Sequence, residues 1–175
     1  MKIILMLVLL LLIQASGAKA CSCVDRGGSE KQKIAAAYQQ DALIFVGRVT
    51  GVETIVTTDT VQVSDRGPVE QRIRLIRRET LRYTLAVARQ FKGQPSGPIV
   101  FVSTETQGSA CGIRFNVGST QLVYAFQVSE KASLYGGAPT PIAPYFATSI
   151  CNRSQELRSV RSAELKQLAK LAKAD

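Results

Sequence analysis

The sequence contains no histidine. Histidine is the commonest general base and the commonest metal ligand among the side chains, so its absence excludes Ser-His-Asp and Cys-His catalysis. The chain also lacks a P-loop, a dinucleotide-binding glycine motif and zinc-finger spacing. We therefore predict that the protein is not an enzyme, and a binding protein or an inhibitor is the simpler interpretation.

Long apolar runs are missing from the chain after its first segment. Ile3–Ile13 is apolar throughout and follows the basic Lys2, but it is shorter than the about 20 residues that a membrane-spanning helix needs. Ala18-Lys19-Ala20 has the small-any-small pattern of a signal-peptide cleavage site. We therefore expect residues 1–20 to be a signal peptide, and the mature chain to be secreted, to begin at Cys21 and to have no transmembrane segment.

A second interpretation of the same site is a bacterial lipoprotein, in which the cysteine after the cut is acylated. Such sites usually have leucine or a similar residue where this chain has Ala18, and Lys19 also fits them poorly. An even number of cysteines in an exported chain predicts two disulfides, whereas acylation would leave an odd thiol. The secreted form is favoured, and a periplasmic or lipid-anchored location is the alternative for a bacterial chain. All four cysteines follow the cleavage site: Cys21, Cys23, Cys111 and Cys151.

The chain is basic, with a formal charge of +9 that falls to +7 when Lys2 and Lys19 are left out. Such a charge suits acidic partners, including nucleic acid and anionic surfaces. Export argues against nucleic acid as the partner. We interpret the charge as a contribution to solubility, and no role is assigned to the basic segment 66–82.

Alternating apolar residues predict a barrel of short strands. Gly47 and Gly51 in the first strand predict a bulge or bend of the kind that a small barrel needs. The polar segment Asp59–Arg78 contains the turn Gly67-Pro68 and predicts a long hairpin that extends the first two strands. The predicted strands are Ala42–Val49 continuing toward Val56, Tyr83–Val87, Pro98–Thr104, Leu122–Val128 and Tyr145–Cys151.

One helix is predicted on each side of these strands. Ser29-Glu30-Lys31-Gln32 is a capping box, and it predicts a short helix that continues to Tyr38. Asn152, with Gln155 three residues later, predicts the start of a basic amphipathic helix. We expect its apolar stripe to cover one end of the barrel, with a membrane surface as the alternative. The stripe consists of Leu157, Val160, Leu165, Leu168 and Leu171.

The sequence thus predicts a mainly β fold, a five-stranded OB-fold barrel in residues 21–151 with a C-terminal helix packed on it in residues 152–175. Four cysteines allow three disulfide pairings. A Cys21–Cys23 bridge would close a strained ring, so two pairings remain. Each remaining bridge closes a loop on the order of 100 residues and stabilises the fold by at most about 4–5 kcal/mol. Both pairings make rigid an end of the chain that is normally frayed.

These residues carry a resemblance to a known family. Cys21-Ser22-Cys23, directly after the signal peptide, resembles the mature start of the tissue inhibitors of metalloproteinases. The resemblance covers residues 21–151, which correspond to the netrin-like N-terminal domain of that family. Further similar segments follow at matching intervals: Ala42–Val49, Phe91–Gly93, Ser109–Gly112, Phe115–Gly118, Leu122–Ala125 and Thr148–Cys151.

The resemblance implies an OB-fold, here called netrin-like, and the pairings Cys21–Cys111 and Cys23–Cys151. It also implies a secreted, monomeric inhibitor of a zinc metalloendopeptidase. In this family the main-chain amine and carbonyl of the first residue bind the protease's catalytic zinc, and Cys21 would do so here, displacing the water that attacks the substrate. Because that zinc belongs to the protease, the chain needs no cofactor of its own.

The resemblance assigns roles to five further residues. Ser22 would enter the primary specificity pocket of the protease. Cys23 and Val24 would continue along the substrate cleft. Ser109 and Ala110, tethered through the neighbouring cysteine, would form the second edge of the inhibitory surface.

The chain departs from the family in three ways, which leave open a more general binding role in place of protease inhibition. The cysteines of the family's third N-domain bridge are missing, and a helix from Asn152 is predicted where the family has a disulfide-rich C-terminal domain. Asp25-Arg26-Gly27-Gly28 stands where the family usually has prolines. The alternative interpretation is a netrin-like extracellular interaction module, lipid-anchored if acylated, without protease inhibition, since a fold alone does not establish function.

Overall fold

The computed structural model describes residues 21–24, 27–64, 66–95, 97–106, 111–131 and 138–174. The predicted signal peptide, residues 1–20, lies outside the described residues. So do Ser109 and Ala110, which the resemblance places at the edge of the inhibitory surface.

The described chain is mainly β, as predicted. Two longer helices and a one-turn helix accompany the strands. In chain order the elements are α1 (Glu30–Gln40), β1 (Leu43–Gln62), α2 (Val69–Arg72), β2 (Ile73–Lys92), β3 (Ile99–Glu105), β4 (Thr120–Lys131), β5 (Thr140–Ala147), β6 (Gln155–Glu156), a 3-10 turn (Leu157–Ser159) and α3 (Ser162–Leu171).

Five of the strands form a closed hydrogen-bonded ring. Their order is β1-β2-β3-β5-β4, and β4 pairs back with β1. The β3–β5 pair is parallel and the other pairs are antiparallel, so the sheet is mixed. The short strand β6 adds to the edge of β4. The five strands of the ring correspond to the five that the sequence predicts, although some of their ends differ.

The side chains that point into the ring form its main core. Along β1, Leu43 and Phe45 belong to this inner cluster, whereas Ile44 and Val46 belong to a cluster on the outer face. This alternation is the two-residue period of a β-strand. The buried members of the inner cluster are Leu43, Phe45, Val49, Leu81, Tyr83, Leu85, Val100, Val102, Phe115, Val123 and Ala125.

The outer cluster is covered by α1 and α3, which lie against β1 and β4. Every residue of the predicted C-terminal stripe belongs to this cluster or packs against it, so the stripe contacts protein. The stripe packs against the side of the ring and not over its end. The buried members of the outer cluster are Ile34, Tyr38, Ile44, Val46, Phe91, Leu122, Tyr124 and Leu168.

The capping box and the bulge follow the sequence predictions. The Ser29 hydroxyl accepts a hydrogen bond from the Gln32 backbone, and the Gln32 side chain accepts one from the Ser29 backbone. The register of β1 against β2 shifts between Val46 and Gly47. A Cβ at position 47 would lie 2.7 Å from a ring carbon of Phe45, so only glycine fits at this bulge.

Helix α3 begins at Ser162, and the prediction that the C-terminal helix begins at Asn152 is wrong. Gln155 and Glu156 form β6 and pair with the start of β4. The local capping pattern predicted a helix for this backbone, but it extends the sheet instead. Pairing with β4 satisfies its backbone hydrogen bonds there.

Strand β5 spans Thr140–Ala147, so the predicted span Tyr145–Cys151 is wrong at both ends. The strand pairs with β3 only at its last two residues, which leaves its earlier part with one open edge. Pro141 and Pro144 lack an N–H group and are tolerated at such an edge. After Ala147 the strand ends, and the last cysteine lies in a turn.

Strands β1 and β2 continue beyond the ring as one long hairpin, which confirms the hairpin predicted across Asp59–Arg78. Their pairing runs to Gln62 and Ile73. Val56 and Leu75 of this part belong to neither core cluster of the described residues and are 47% and 67% exposed.

We predict that Leu168→Ala lowers the free energy of unfolding by about 2–5 kcal/mol, because it leaves a cavity between α3 and the sheet. Denaturant unfolding measures this change. Lys166→Ala, on the exposed face of the same helix, is the matched control and should change the value by less than about 0.5 kcal/mol. Equal values for the two variants would contradict the packing of α3.

Candidate functional site

Two disulfides attach the segment Cys21–Val24 to the ring. They join Cys21 to Cys111 and Cys23 to Cys151, across 90 and 128 residues of sequence. These are the pairings that the resemblance to the metalloproteinase inhibitors implies. The first and the third residue after the predicted cleavage site are therefore each bonded to a distant part of the chain.

The two disulfides lie side by side. The Cys151 Sγ atom is 4.0 Å from the Cys21 Sγ atom and 4.0 Å from the Cys111 Sγ atom. Both bridges therefore reach one small platform, formed by the chain around Cys111 and the turn that follows β5.

The disulfides are the attachments of this segment within the described residues. Apart from the sulfur contacts, Cys21–Val24 form no hydrogen bond to another described residue. Ser22 is exposed and Val24 is 85% exposed. The segment thus presents its backbone and two side chains to solvent while two covalent bonds restrict its motion, which lowers the entropy lost when a partner binds it.

The platform under the disulfides is built from short hydrogen bonds. The Ile150 backbone donates to the Cys111 carbonyl at 2.9 Å, which joins its two halves. The Ser149 hydroxyl donates to Asn152 Oδ1 at 2.8 Å, and Asn152 Nδ2 donates to Asp41 Oδ1 at 2.7 Å. The position of the last cysteine therefore depends on Asp41, which lies between α1 and β1.

Asp41 is buried, with only 2% of its surface exposed. Burial raises the pKa of its carboxyl to about 6, against the opposing effects of the Asn152 hydrogen bond and the charge of Lys92. A buried carboxylate is disfavoured relative to its neutral form, and a donor such as the Asn152 amide recovers part of that free energy.

Two hydroxyls bind the same turn to β4. Thr148 Oγ1 donates to the Tyr124 carbonyl at 2.8 Å. Ser154 Oγ accepts from the Tyr124 backbone N–H, also at 2.8 Å. The chain on both sides of Cys151 is thus held to one residue of the sheet.

A buried ion pair completes the support. Arg153 donates through Nε and Nη2 to the two oxygens of Glu164, at 3.0 and 3.1 Å. The Tyr124 hydroxyl donates to Glu164 Oε1 at 2.7 Å, and burial together with this carboxylate raises the pKa of Tyr124. Arg153 also pairs with Glu30 of α1 at 3.1 Å. The hydrogen bonds to Glu164 raise the pKa of Arg153.

The segment Phe91-Lys92-Gly93, one of those that resemble the inhibitor family, has a structural role here. Phe91 is buried in the outer cluster. The Lys92 ammonium donates to the Tyr38 carbonyl at 2.5 Å, at the C-terminal end of α1 where a positive charge is favoured. Gly93 has a φ of +76°, and a Cβ there would collide with the Ala42 carbonyl oxygen.

Four of the predicted site residues, Cys21 to Val24, thus form the segment that the disulfides attach to the platform. Cys111 is part of that platform, and it directly follows the predicted site residues Ser109 and Ala110 in the sequence. Sequence reasoning missed Asp41 and assigned Asn152 to a helix cap. The only sequence signal for the Asn152–Asp41 contact is position. Asp41 directly precedes the similar segment Ala42–Val49, and Asn152 directly follows the similar segment Thr148–Cys151.

The basic segment and a groove lie away from the disulfides. Arg77 forms an exposed ion pair with Glu79 at 2.9 Å. A groove of about 820 Å³ runs between the long hairpin, β3 and β5. Phe101 and Tyr145 in its walls are 54% and 44% exposed, and the Arg82 guanidinium lies 5.5 Å from the Phe101 ring centre.

No protein-family model matches this chain, and neither does any curated protein. Among the described residues, no helix has the length and apolar character required to cross a membrane.

We predict that Asp41→Asn makes stability less dependent on pH. Folding raises the pKa of Asp41 from 3.8 to about 6, so the folded chain binds this proton more tightly than the unfolded chain. That contribution is fully present below the unfolded pKa and is lost as the pH rises through about 6, on the order of 2–3 kcal/mol. Asparagine keeps an oxygen that accepts from Asn152 and removes the titration.

Urea unfolding of both proteins between about pH 4 and pH 7 measures this difference. The stability of the variant relative to the native chain should increase as the pH rises. Glu130→Gln, at an exposed carboxylate, is the control and should follow the native curve. Parallel curves for Asp41→Asn and the native chain would show that Asp41 does not titrate as described.

Proposed function

We propose that this chain inhibits zinc metalloendopeptidases through an N-terminus that begins at Cys21. The observation that carries the proposal is the double anchoring of Cys21 and Cys23, by adjacent disulfides, on a platform held by hydrogen bonds to Asp41 and Tyr124. Such anchoring contributes little to the ring's core, but it holds a short exposed segment in one conformation.

The zinc ligands would be the amine and the carbonyl oxygen of Cys21. They are close in space and form a five-membered chelate with a metal ion, and only a neutral amine binds. Binding displaces the zinc-bound water that such proteases use as their nucleophile. The amine exists only if the chain is cut after Ala20, so inhibition depends on export and cleavage.

The side chains on the segment fit the same role. Ser22 stands between the two anchored cysteines and is exposed, so it is available for the primary specificity pocket. Val24 offers an apolar side chain to the continuing cleft. Ser109 and Ala110 precede Cys111 and would form the second edge of the surface.

The fold supports the same assignment. We interpret the five-stranded ring as an OB-fold of the netrin-like type, with its inner core and the helices against β1 and β4. The cysteine pairing agrees with the tissue inhibitors of metalloproteinases. Disulfides persist in oxidising compartments, which supports a secreted protein.

We predict that one alanine added before Cys21 abolishes inhibition of a zinc endopeptidase. The added residue converts the amine into an amide, which cannot bind zinc, and it clashes with the metal. The inhibition constant should rise roughly 100-fold or more, equivalent to about 2.7 kcal/mol of binding free energy. Ser22→Ala is the matched control, because it changes the segment and keeps the amine.

Steady-state inhibition assays measure the constants, and intact-mass analysis of the secreted protein shows whether its amine is free, acylated or preceded by other residues. Thermal unfolding should be the same for the extended and native chains. Undiminished inhibition by the extended chain would rule out chelation by Cys21.

The second candidate is an interaction module that binds an acidic extracellular partner, and the exposed long hairpin favours it. Leu75 there is 67% exposed, and Arg74 and Arg77 flank it. The side chain of Arg78, which pairs with Asp59 at 3.8 Å, is 42% exposed, against 67% for that of Arg77.

We predict that Arg74→Glu combined with Arg77→Glu weakens retention on immobilised heparin, a sulfated polysaccharide, because the repulsion replaces an attraction. Elution should occur at lower salt, while protease inhibition and stability stay unchanged, since exposed ion pairs stabilise a fold by less than about 1 kcal/mol. If the variant eluted at the same salt concentration as the native chain, the hairpin would be excluded as the surface that binds an acidic partner.

A further inference from the structure

The groove between the long hairpin, β3 and β5 combines apolar walls with two free carboxylates. Its lining includes Ile99, Phe101 and Tyr145, all of which are exposed. It also includes Glu105 and Glu130, which are exposed as well. Neither carboxylate forms an ion pair or a side-chain hydrogen bond with another described residue. An exposed apolar surface with unpaired charges beside it is typical of a site that a partner covers.

The cations of the groove are paired with other carboxylates. Arg82 pairs with Glu53 at 2.8 Å, and Arg78 and Lys131 both pair with Asp59. With Glu53 included, the groove therefore holds three cations and four carboxylates. It is slightly acidic in a chain with a formal charge of +9, so charge complementarity favours a basic occupant.

The tip of the long hairpin, Ile73–Arg77, has the complementary composition. Ile73 and Leu75 are exposed apolar residues. Arg74 is exposed and has no ion pair among the described residues, and the Arg77 side chain is 67% exposed although it pairs with Glu79. The tip is therefore both apolar and basic.

The tip does not enter the groove of its own chain. The hairpin residues that line the groove extend along β1 to Asp59 and along β2 back to Arg78. The two strands stay paired farther out, as far as Gln62 and Ile73. The tip thus lies past the groove on the same hairpin, and both surfaces are exposed in the described part of the chain.

The groove and the tip also offer strand edges to each other. Strands β3 and β5 pair only at Val102–Phe146 and Ser103–Ala147, so their earlier parts line the groove with edges that face no strand among the described residues. On β2 the pairing with β3 begins at Thr80, so Ile73–Arg78 pair with β1 alone within the same residues. Open edges of this kind add a strand from another chain.

We propose that this protein forms a two-fold dimer in which the hairpin tip of each copy occupies the groove of the other. Leu75 then lies against the aromatic rings of the groove, and the arginines of the tip face its two free carboxylates. The reciprocal exchange makes the contact twice per dimer and closes the assembly. The contact does not use Cys21–Val24, so it is independent of the proposed inhibition. The resemblance to the inhibitor family implies a monomer, so the dimer is a property proposed for this chain.

The test is sedimentation equilibrium of the secreted protein over a range of concentrations, with two charge-reversed variants. The groove variant carries Glu105→Arg and Glu130→Arg, and the tip variant carries Arg74→Glu and Arg77→Glu. Each variant alone places like charges in both contacts, so its dimer dissociation constant should rise at least about tenfold. In an equal mixture of the two variants, every groove meets a tip of opposite charge. The mixture should therefore associate as the native chain does.

Circular dichroism checks that both variants are folded, and Leu75→Ser tests the apolar part of the contact with one exposed change. Leu75→Ser should also weaken the dimer, whereas Lys166→Ala, on the exposed face of α3, should leave it unchanged. A native chain that stays monomeric at every concentration overturns the proposal. So does a dimer that all the variants form as strongly as the native chain. Folded variants whose mixture stays monomeric overturn it as well, because charge pairing between tip and groove would then not hold the copies together.

Discussion

The ion pair between Arg153 and Glu164 connects the ring, both longer helices and the turn that carries Cys151. A buried charge is unfavourable unless its partner and its remaining hydrogen bonds are supplied. Here Glu164 accepts from both Arg153 nitrogens and from the Tyr124 hydroxyl, while Arg153 also reaches Glu30 of α1. Loss of Arg153 would leave Glu164 buried without its charged partner, and loss of Glu164 would leave Arg153 paired only with the more exposed Glu30. The supports of the terminal segment therefore depend on this pair.

The two-sided burial of β1 and β4 explains where the helices lie. Because both faces of these strands are apolar, the inner residues fill the ring and the outer residues need a second layer. Helices α1 and α3 supply it, and their polar ends meet at Arg153. In the long hairpin, Val56 and Leu75 belong to neither cluster of the described residues and are exposed, so they are available for a partner.

Rigidity is the property that links this architecture to the proposed function. A chain end ordinarily frays, and ordering it on binding opposes association. Covalent bonds at Cys21 and Cys23 restrict the end before binding. The hydrogen bonds from Ile150, Asn152 and Thr148 restrict the platform in turn.

Local patterns in the sequence determined the capping box at Ser29, the strand alternation, the bulge at Gly47, the long hairpin and the even cysteine count. The cysteine count is read directly from the sequence, and the other features depend on local residue patterns, so the sequence predicts them. Local reasoning left two cysteine pairings open, and the family resemblance implied the one that the structure has. Only the tertiary structure decided the bounds of β5, the start of α3 and the contact of Asn152 with Asp41. These depend on groups far apart in the chain, and pairing with β4 overrides the local capping pattern at Asn152. Their free energy comes from burial and hydrogen bonds that exist only once the ring has closed.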